Sequence, residues 1–253
     1  MKRERIDKLL VEKGFADSRT KAQALVMSGV VLVNEKRVEK PSQEFFSSDK
    51  IRIKGKTNET KYVGRGGLKL EKALREFYIR PNEYVCLDVG ASTGGFTDCL
   101  LQHGAKKVVA VDVGTNQIAW KLRNDSRVEV RENVNARFLK PEDFVVKFDL
   151  IVIDVSFISV TKILPAIPYL LAENGKVIVL IKPQFEVGKG EVGKGGIVKE
   201  PEKHRKVIEK VNSFAETIGL QVGGLISSPI LGADGNKEFL VLYTKRKLVQ
   251  ARL

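Results

Sequence analysis

The segment Asp88 to Phe96, DVGASTGGF, constrains the chain more than any other. It follows an apolar, strand-like run, Tyr84-Val85-Cys86-Leu87, and leads into a helix-like run, Thr97-Asp98-Cys99-Leu100-Leu101. A glycine-rich bend between a parallel strand and a helix lets a small molecule approach the backbone where side chains would block it. The helix N-terminus then offers free N–H groups to a polar ligand. The spacing narrows the ligand class. A dinucleotide fingerprint needs G-x-G-x-x-G, whereas Ser92 stands two positions after Gly90. What remains is an acidic-x-Gly-x-x-x-Gly pattern on Asp88, Gly90 and Gly94. Its alternative meaning is a glycine-rich turn that holds no ligand.

From Tyr84 onward strands and helices alternate, which predicts an α/β domain with a parallel sheet covered on both faces. Strands are expected at 84–89, 107–112, 127–131, 148–154, 175–182, 220–227 and 238–245. Only the loop Ser228 to Lys237 separates the last two, so they suit an antiparallel hairpin at the sheet edge. In an open α/β sheet, ligands sit at the carboxyl ends of the strands. Polar residues at those ends are Asp88, Asp112, Asn133 with Asn135, Asp154 and Lys182. Asp112 falls about twenty residues beyond the glycine bend, where an acid holds ribose hydroxyls in such folds. A charge at the tip of a buried apolar strand is costly to desolvate. Each alone could be a solvated strand end or a structural ion pair; several in one crevice point to a site. The glycine motif and the strand order resemble the seven-stranded, Rossmann-like fold of S-adenosylmethionine (SAM) dependent methyltransferases.

Residues 1–60 read as a separate α+β module, with 61–253 as the larger domain and a polar linker at about 55–64. Ile6, Leu9, Leu10 and Val11 recur at helical spacing and Gly14 ends that helix. Ser18 can cap a second helix carrying Ala22, Leu25 and Val26. A strand-like run Val30 to Val33, a turn at Asn34-Glu35 and a further run Ile51 to Lys54 follow. The string RIDKLLVEKGFADSRTKAQALVMSGVVLVNEKRVEKPS resembles the S4-like RNA-binding domain. That resemblance implies a basic face for RNA, to which Arg5, Lys8, Arg19, Lys21, Lys36 and Arg37 could contribute. Beyond the linker, Gly64-Arg65-Gly66-Gly67 opens a helix carrying Leu68, Leu70, Ala73, Leu74 and Phe77, expected to end at Pro81-Asn82.

Charge agrees with a polyanionic partner. Lys and Arg number 44 against 31 Asp and Glu, a net charge of +13. Attraction to anionic lipid, or a merely solvated basic surface, would give the same excess. No apolar run reaches the roughly 18 residues needed to span a bilayer. The opening MKRERIDKLL leads into no long apolar stretch and does not read as a secretory signal. Cys86 and Cys99 fit buried free thiols in a reducing cytoplasm. No Cys/His cluster has metal-ligand spacing, so no metal is expected.

Nearly the whole chain resembles the TlyA family of ribosomal RNA 2′-O-methyltransferases, whose catalytic domain is FtsJ-like. FtsJ-like enzymes use a Lys-Asp-Lys-Glu tetrad. The resemblance places it on Lys69 in GRGGLKL, Asp154 in VIDVSF, Lys182 in LIKPQFE and Glu238 in DGNKEFL. It places the SAM site on Asp88, Gly90, Ser92, Gly94, Gly95, Phe96, Asp112 and Asn133. The implied activity is methylation of a cytidine ribose in 16S and/or 23S ribosomal RNA, in the cytoplasm, with ribosomal RNA or subunits as partner. Lys182 is then the candidate to accept the hydroxyl proton or to steady the developing alkoxide. Asp154 and Glu238 would oppose base action by Lys182, while Lys69 and burial would favour it. A non-catalytic RNA- or ribosome-binding protein is one rival. A membrane-active haemolysin, a label attached to this family, is another. GKGEVGKG, Gly188 to Gly195, nearly matches the phosphate-binding G-x-x-x-x-G-K-[ST], but Gly195 replaces the hydroxyl residue. It reads instead as a long mobile loop, with no immediate helix from Pro183 onward.

Overall fold

A computed structural model describes residues 3–16, 18–53, 61–188, 190–232 and 235–246. The chain divides into two units, Met1–Thr60 and Lys61–Leu253.

In the first unit, β1 (Arg3–Arg5) runs directly into α1 (Ile6–Glu12), and α2 (Arg19–Met27) follows. The Ser18 hydroxyl caps α2 by accepting the Lys21 N–H. Then come β2 (Val31–Val33), β3 (Lys36–Arg37), β4 (Glu44–Phe46) and β5 (Ile51–Ile53). β2 lies between β3 and β5, and β1 pairs with β4. Asn34 and Glu35, at φ 50° and 63°, make the left-handed two-residue turn that joins β2 to β3. The helical stripe closes the core as its spacing requires: Ile6, Leu9 and Leu10 are buried with Ala22, Val26, Val31, Val33 and Ile53.

The second unit begins at Lys61, within the stretch of about 55–64 expected to be linker. Residues 54–60 lie outside the described residues, but 61–64 are packed in place. Tyr62 is buried, the Val63 N–H donates to Asp98 at 2.8 Å, and Lys61 pairs with Glu71. α3 (Gly66–Glu76) follows. It stops short of Pro81 because Tyr78 turns left-handed at φ 53°; Leu68 stays at the surface.

The sheet is built from β6 (Val85–Val89), β7 (Lys107–Val111), β8 (Val128–Arg131), β9 (Phe148–Ile153), β10 (Leu171–Ile181), β11 (Leu220–Ser227) and β12 (Phe239–Lys245). Between them lie α4 (Gly95–Gln102), α5 (Trp120–Arg123), α6 (Ile167–Leu170), α7 (Pro183–Glu186) and α8 (Pro201–Thr217). Strand order is β11-β12-β10-β9-β6-β7-β8, with β12 antiparallel to both neighbours. The terminal hairpin therefore inserts β12 into the sheet and leaves β11 as one edge strand, with β8 as the other.

Strand periodicity splits the core into two faces. Leu87, Val109, Ile151, Val177 and Val179 pack with Val207, Val211 and Ala215 of α8. Cys86, Val108, Leu150, Val152, Ile178, Leu180 and Leu240 pack with Leu70, Ala73 and Leu74 of α3 and Cys99 and Leu100 of α4. The chain reverses direction across the sheet between β6 and β9, the switch point where a ligand crevice opens.

Candidate active site

Polar residues at the strand tips share one face by periodicity alone. Cys86, Leu150, Ile178, Leu180 and Leu240 all point toward α3 and α4. Asp88, Asp154, Lys182 and Glu238 stand an even number of residues from them in backbone that is still extended. The Asp154 N–H continues the ladder to the Val89 carbonyl, and the Ser228 N–H bonds to the Glu238 carbonyl. Ile181 faces Phe239 in the β10–β12 register, so Lys182 and Glu238 emerge side by side. Lys69 comes from the opposite wall, one helical turn into α3 from Gly66. A Cβ on Gly66 would lie 3.9 Å from Asp154 Oδ2.

The tetrad resolves into two ion pairs. Lys182 Nζ forms an ion pair with Asp154 Oδ1 at 2.5 Å. Its hydrogen bond goes to Ser156 Oγ at 2.8 Å. Lys69 Nζ donates to Glu238 Oε2 at 2.6 Å, with the two side chains 9% and 2% exposed. Gly232 lies over Glu238, leaving no room for a Cβ beside its Oε1.

Two cavities meet at the Lys182–Asp154 pair. The larger, about 460 Å³, runs along the tips of β6, β7 and β9; its walls include Asp112, Gln117, Val134, Asn135 and Phe157. The smaller, about 220 Å³, lies under α3 and α4 and is lined by Gly66, Thr93, Gly95, Phe96 and Lys182. Gly90, Ser92, Asp154 and Ser156 belong to both. Lys69 and Glu238 line neither; they sit behind the wall.

The glycine bend makes β6 and β9 fit before it serves any ligand. Gly90 is left-handed at φ +85°, and a Cβ there would come within 2.4 Å of the Asp154 carbonyl oxygen. Gly94, at φ +92°, leaves room for Leu122, which would stand 2.3 Å from its Cβ. These glycines are thus required by the protein's own packing, whereas the sequence suggested that they clear space for a ligand. Ser92 is also left-handed, at φ 48°, and its N–H donates to Asp112 Oδ2 at 2.8 Å. Asp112 Oδ1 accepts the Gly114 N–H at 2.7 Å, so this carboxylate ties the first two strand-tip loops together.

Three residues expected at the cofactor site, Asp88, Gly94 and Asn133, line neither cavity. Asp88 is fully buried beneath α4, and Thr97 Oγ1 donates to its Oδ2 at 2.7 Å. Burial pushes its carboxyl up to about 7, against the pull of the Thr97 bond and with a further push from Asp154. Asp88 lines neither cavity, and among the described residues its Oδ1 has no hydrogen-bond partner. Asn133 is exposed and left-handed at φ 57°; Val134, Asn135, Ala136 and Arg137 form the wall instead. Val113, Gln117 and the Val155–Ile158 segment, outside the expected site, supply much of the larger cavity. They lie in loops that carry no periodic signal, although VSF directly follows Asp154 in the sequence.

In the first unit, Arg5 and Arg19 are not simply displayed to solvent. Both converge on the buried carboxylate of Asp7, at 2.9 and 3.0 Å, and Gln23 also donates to it at 3.0 Å. The Arg5 guanidinium holds the Asp7 carboxyl well below the usual carboxylate range, against the effect of burial. Lys8, Lys21, Lys36 and Arg37 are exposed, and the Arg37 guanidinium lies across Gly29.

The segment expected to be a mobile loop starts with the short helix α7 and is tied down at its far end. Asn236 accepts the Val198 N–H at 3.0 Å and donates to the Gly196 carbonyl at 2.9 Å; His204 Nε2 lies 2.8 Å from the Val198 carbonyl. Among the described residues, no helix is long and apolar enough to cross a membrane, and no cluster of metal-ligating side chains is found.

Comparison with known proteins agrees with this two-part organisation. The family model for FtsJ-like methyltransferases matches residues 62–245, and that for the S4 domain matches residues 4–51. The YqxC protein of Bacillus subtilis is 49% identical over 95% of this chain and 85% of its own length. The Mycobacterium tuberculosis protein named 16S/23S rRNA (cytidine-2′-O)-methyltransferase TlyA is 42% identical over 95% of this chain and 89% of its own. A solved structure of a hemolysin-named protein from Streptococcus thermophilus superposes with a TM-score of 0.75 at 46% identity, covering 98% of this chain and 90% of that one.

Proposed function

The chain belongs to the FtsJ-like methyltransferase family, in its S4-bearing TlyA branch, and on that footing we propose that it methylates the ribose 2′-hydroxyl of cytidine in 16S and/or 23S ribosomal RNA, using SAM. The observation that carries the reading is the junction of two cavities at an ammonium–carboxylate pair on the strand tips.

The residues present fit SAM. The larger cavity has the size of a small-molecule pocket, which runs from about 300 to 1,000 Å³. Its apolar walls, Val111, Val113, Val134 and Ile163, suit a flat base. Asp112 and Asn135 offer polar atoms for a sugar, and Asp154 offers a carboxylate for a cation. Ser92, Thr93 and Gly95, at the start of α4, would hold an amino-acid end. Bound SAM supplies the methyl group on an electrophilic sulfonium. This chain's own residues position the acceptor and manage its proton. Positioning alone can supply a large part of such an acceleration.

Lys182 is the central group of the reading. With Asp154 at 2.5 Å and Ser156 accepting its hydrogen bond, Lys182 Nζ is held as a donor at the cavity wall. There it steadies the ribose oxygen as the hydroxyl passes its proton to solvent water. Asp154 fixes the ammonium in that place. Lys69 and Glu238 hold α3 against the β12 tip from behind. The S4 unit would recruit structured RNA by shape and phosphate contacts.

The test is transfer of labelled methyl to purified ribosomal subunits, with the modified ribose mapped. Wild-type protein is expected to mark cytidine 2′-O positions. Lys182→Ala is expected to lose transfer while RNA binding survives. Undiminished transfer by that variant would remove Lys182 from its role.

A further inference from the structure

Glu186 ends α7, four residues after Lys182, and has no part in the transfer just described. It is buried, 3% exposed. Both carboxylate oxygens reach across to the segment that follows β9. Ser159 Oγ donates to Oε2 and the Val160 N–H donates to Oε1, each at 2.6 Å. These donors open the 3₁₀ turn Val160–Lys162, a few residues beyond Asp154. Burial pushes the Glu186 carboxyl above the ordinary glutamate value, while the bonds from Ser159 and Val160 and the charge of Lys210 act against that push. Lys210 also donates to the Glu186 carbonyl at 3.0 Å, anchoring α7 to α8.

Two more contacts join the same two segments, in the same order along both. Lys182 meets Asp154 and Ser156 at the cavity end. The Phe157 and Phe185 rings follow, with centroids 5.2 Å apart. Glu186 with Ser159 and Val160 closes the far end. Between the ends, Phe157 sits at φ 63°, a conformation that is strained for a bulky residue and persists only where its surroundings enforce it. The Asp154–Ser159 segment therefore needs a hold at each end. The cavity end has a side-chain pair that substrate will disturb; the far end has a buried carboxylate that substrate does not reach.

Resting on the methyltransfer reading, we infer that Glu186 is a positioning residue: it clamps the Asp154–Ser159 segment to α7, so that Asp154, Ser156 and Lys182 keep their spacing at the cavity junction. The clamp acts through hydrogen-bond geometry rather than charge. A glutamine can reproduce it, because its carbonyl accepts the Val160 N–H while its amide donates to the Ser159 hydroxyl.

The experiment combines hydrogen exchange on the full chain with methyl-transfer kinetics for wild type, Glu186→Ala, Glu186→Gln and Ser159→Ala. In Glu186→Ala, amides of residues 154–160 exchange faster, Val160 most of all. Its kcat falls on the order of 100-fold, the loss expected of a displacement near 1 Å. KM for RNA stays within a factor of about two of wild type, while KM for SAM rises, since Asp154–Ile158 line the cavity proposed for it. Glu186→Gln restores both exchange protection and kcat. Ser159→Ala removes one of the two bonds and falls between. Should Glu186→Ala fail to fold, Ser159→Ala must still loosen the segment and slow transfer while Glu186→Gln does neither. The clamp is overturned if the loosened segment keeps a full kcat, if exchange does not change, or if Glu186→Gln is as slow as the alanine variant. Wild-type protein that methylates no ribosomal RNA would defeat the functional reading instead, and the exchange data would still judge the clamp.

Discussion

Removing Lys69 should unfold the catalytic unit more readily than its place behind the cavity wall suggests. Lys69 and Glu238 are 9% and 2% exposed and 2.6 Å apart. At an effective dielectric constant of roughly 20, that separation corresponds to about 6 kcal/mol of attraction. Most of this offsets the desolvation of the two charges, so the intact pair adds little net stability. The imbalance appears when one partner goes. Lys69→Met fills nearly the same volume but leaves the Glu238 carboxylate buried under Gly232 without its cation. Breaking a buried pair in this way costs about 3–5 kcal/mol, a large share of the roughly 5–15 kcal/mol that holds a domain folded. The assay is urea unfolding of wild type, Lys69→Met, Glu238→Gln and the double variant, followed by far-ultraviolet circular dichroism. Each single variant is expected to lose about 3–5 kcal/mol, and the double variant clearly less than their sum, with a coupling of about 2 kcal/mol or more. A loss below about 1 kcal/mol for Lys69→Met, or additive singles, would refute the argument, because distant or solvated charges behave that way.

Other expectations follow from the same geometry. Asp88 has its pKa raised to about 7 by burial, so its proton stays bound in the folded chain over a range where the unfolded chain has lost it. That stabilisation is complete below about pH 4 and is lost as pH rises through about 7. Asp88→Asn keeps the Thr97 bond without the ionisation, so its melting temperature relative to wild type should rise steadily between those limits; a constant difference would remove Asp88 as the titrating group. Asp7 is the opposite case, its carboxyl held low chiefly by Arg5. Its contribution is present above the unfolded aspartate value and is lost as pH falls through the folded one. Asp7→Asn raises the net charge by one, which alone would tighten RNA binding. If Asp7 orients Arg5 and Arg19 for RNA, binding to a ribosomal RNA fragment should instead weaken, and tighter binding would show that charge alone matters.

How much of this site could be read from the sequence depends on which physical rule fixes each residue. Asp154 and Lys182 end apolar strand runs, and a period of two carries Leu150, Val152 and Asp154, or Ile178, Leu180 and Lys182, onto one face without any knowledge of the fold. The same rule puts Asp88 there, yet Asp88 is one residue short of the strand end, and α4 covers it. Strand order and helix cover decide that difference, and both are long-range. Lys69 and Glu238 were found only through a resemblance, because nothing in GRGGLKL or DGNKEFL says that the two motifs meet. Arg5 and Arg19 looked like free cations because Asp7 interrupts a helical stripe with a charge, and only the packing of α1 against α2 shows that this charge is buried. Ser156 and Phe157 follow no period; their place comes from the left-handed turn at Phe157. What the sequence cannot express locally is therefore which polar group faces the cavity and which is sealed behind it. The four residues divide along that line: one pair meets the two cavities, and the other sits behind their wall.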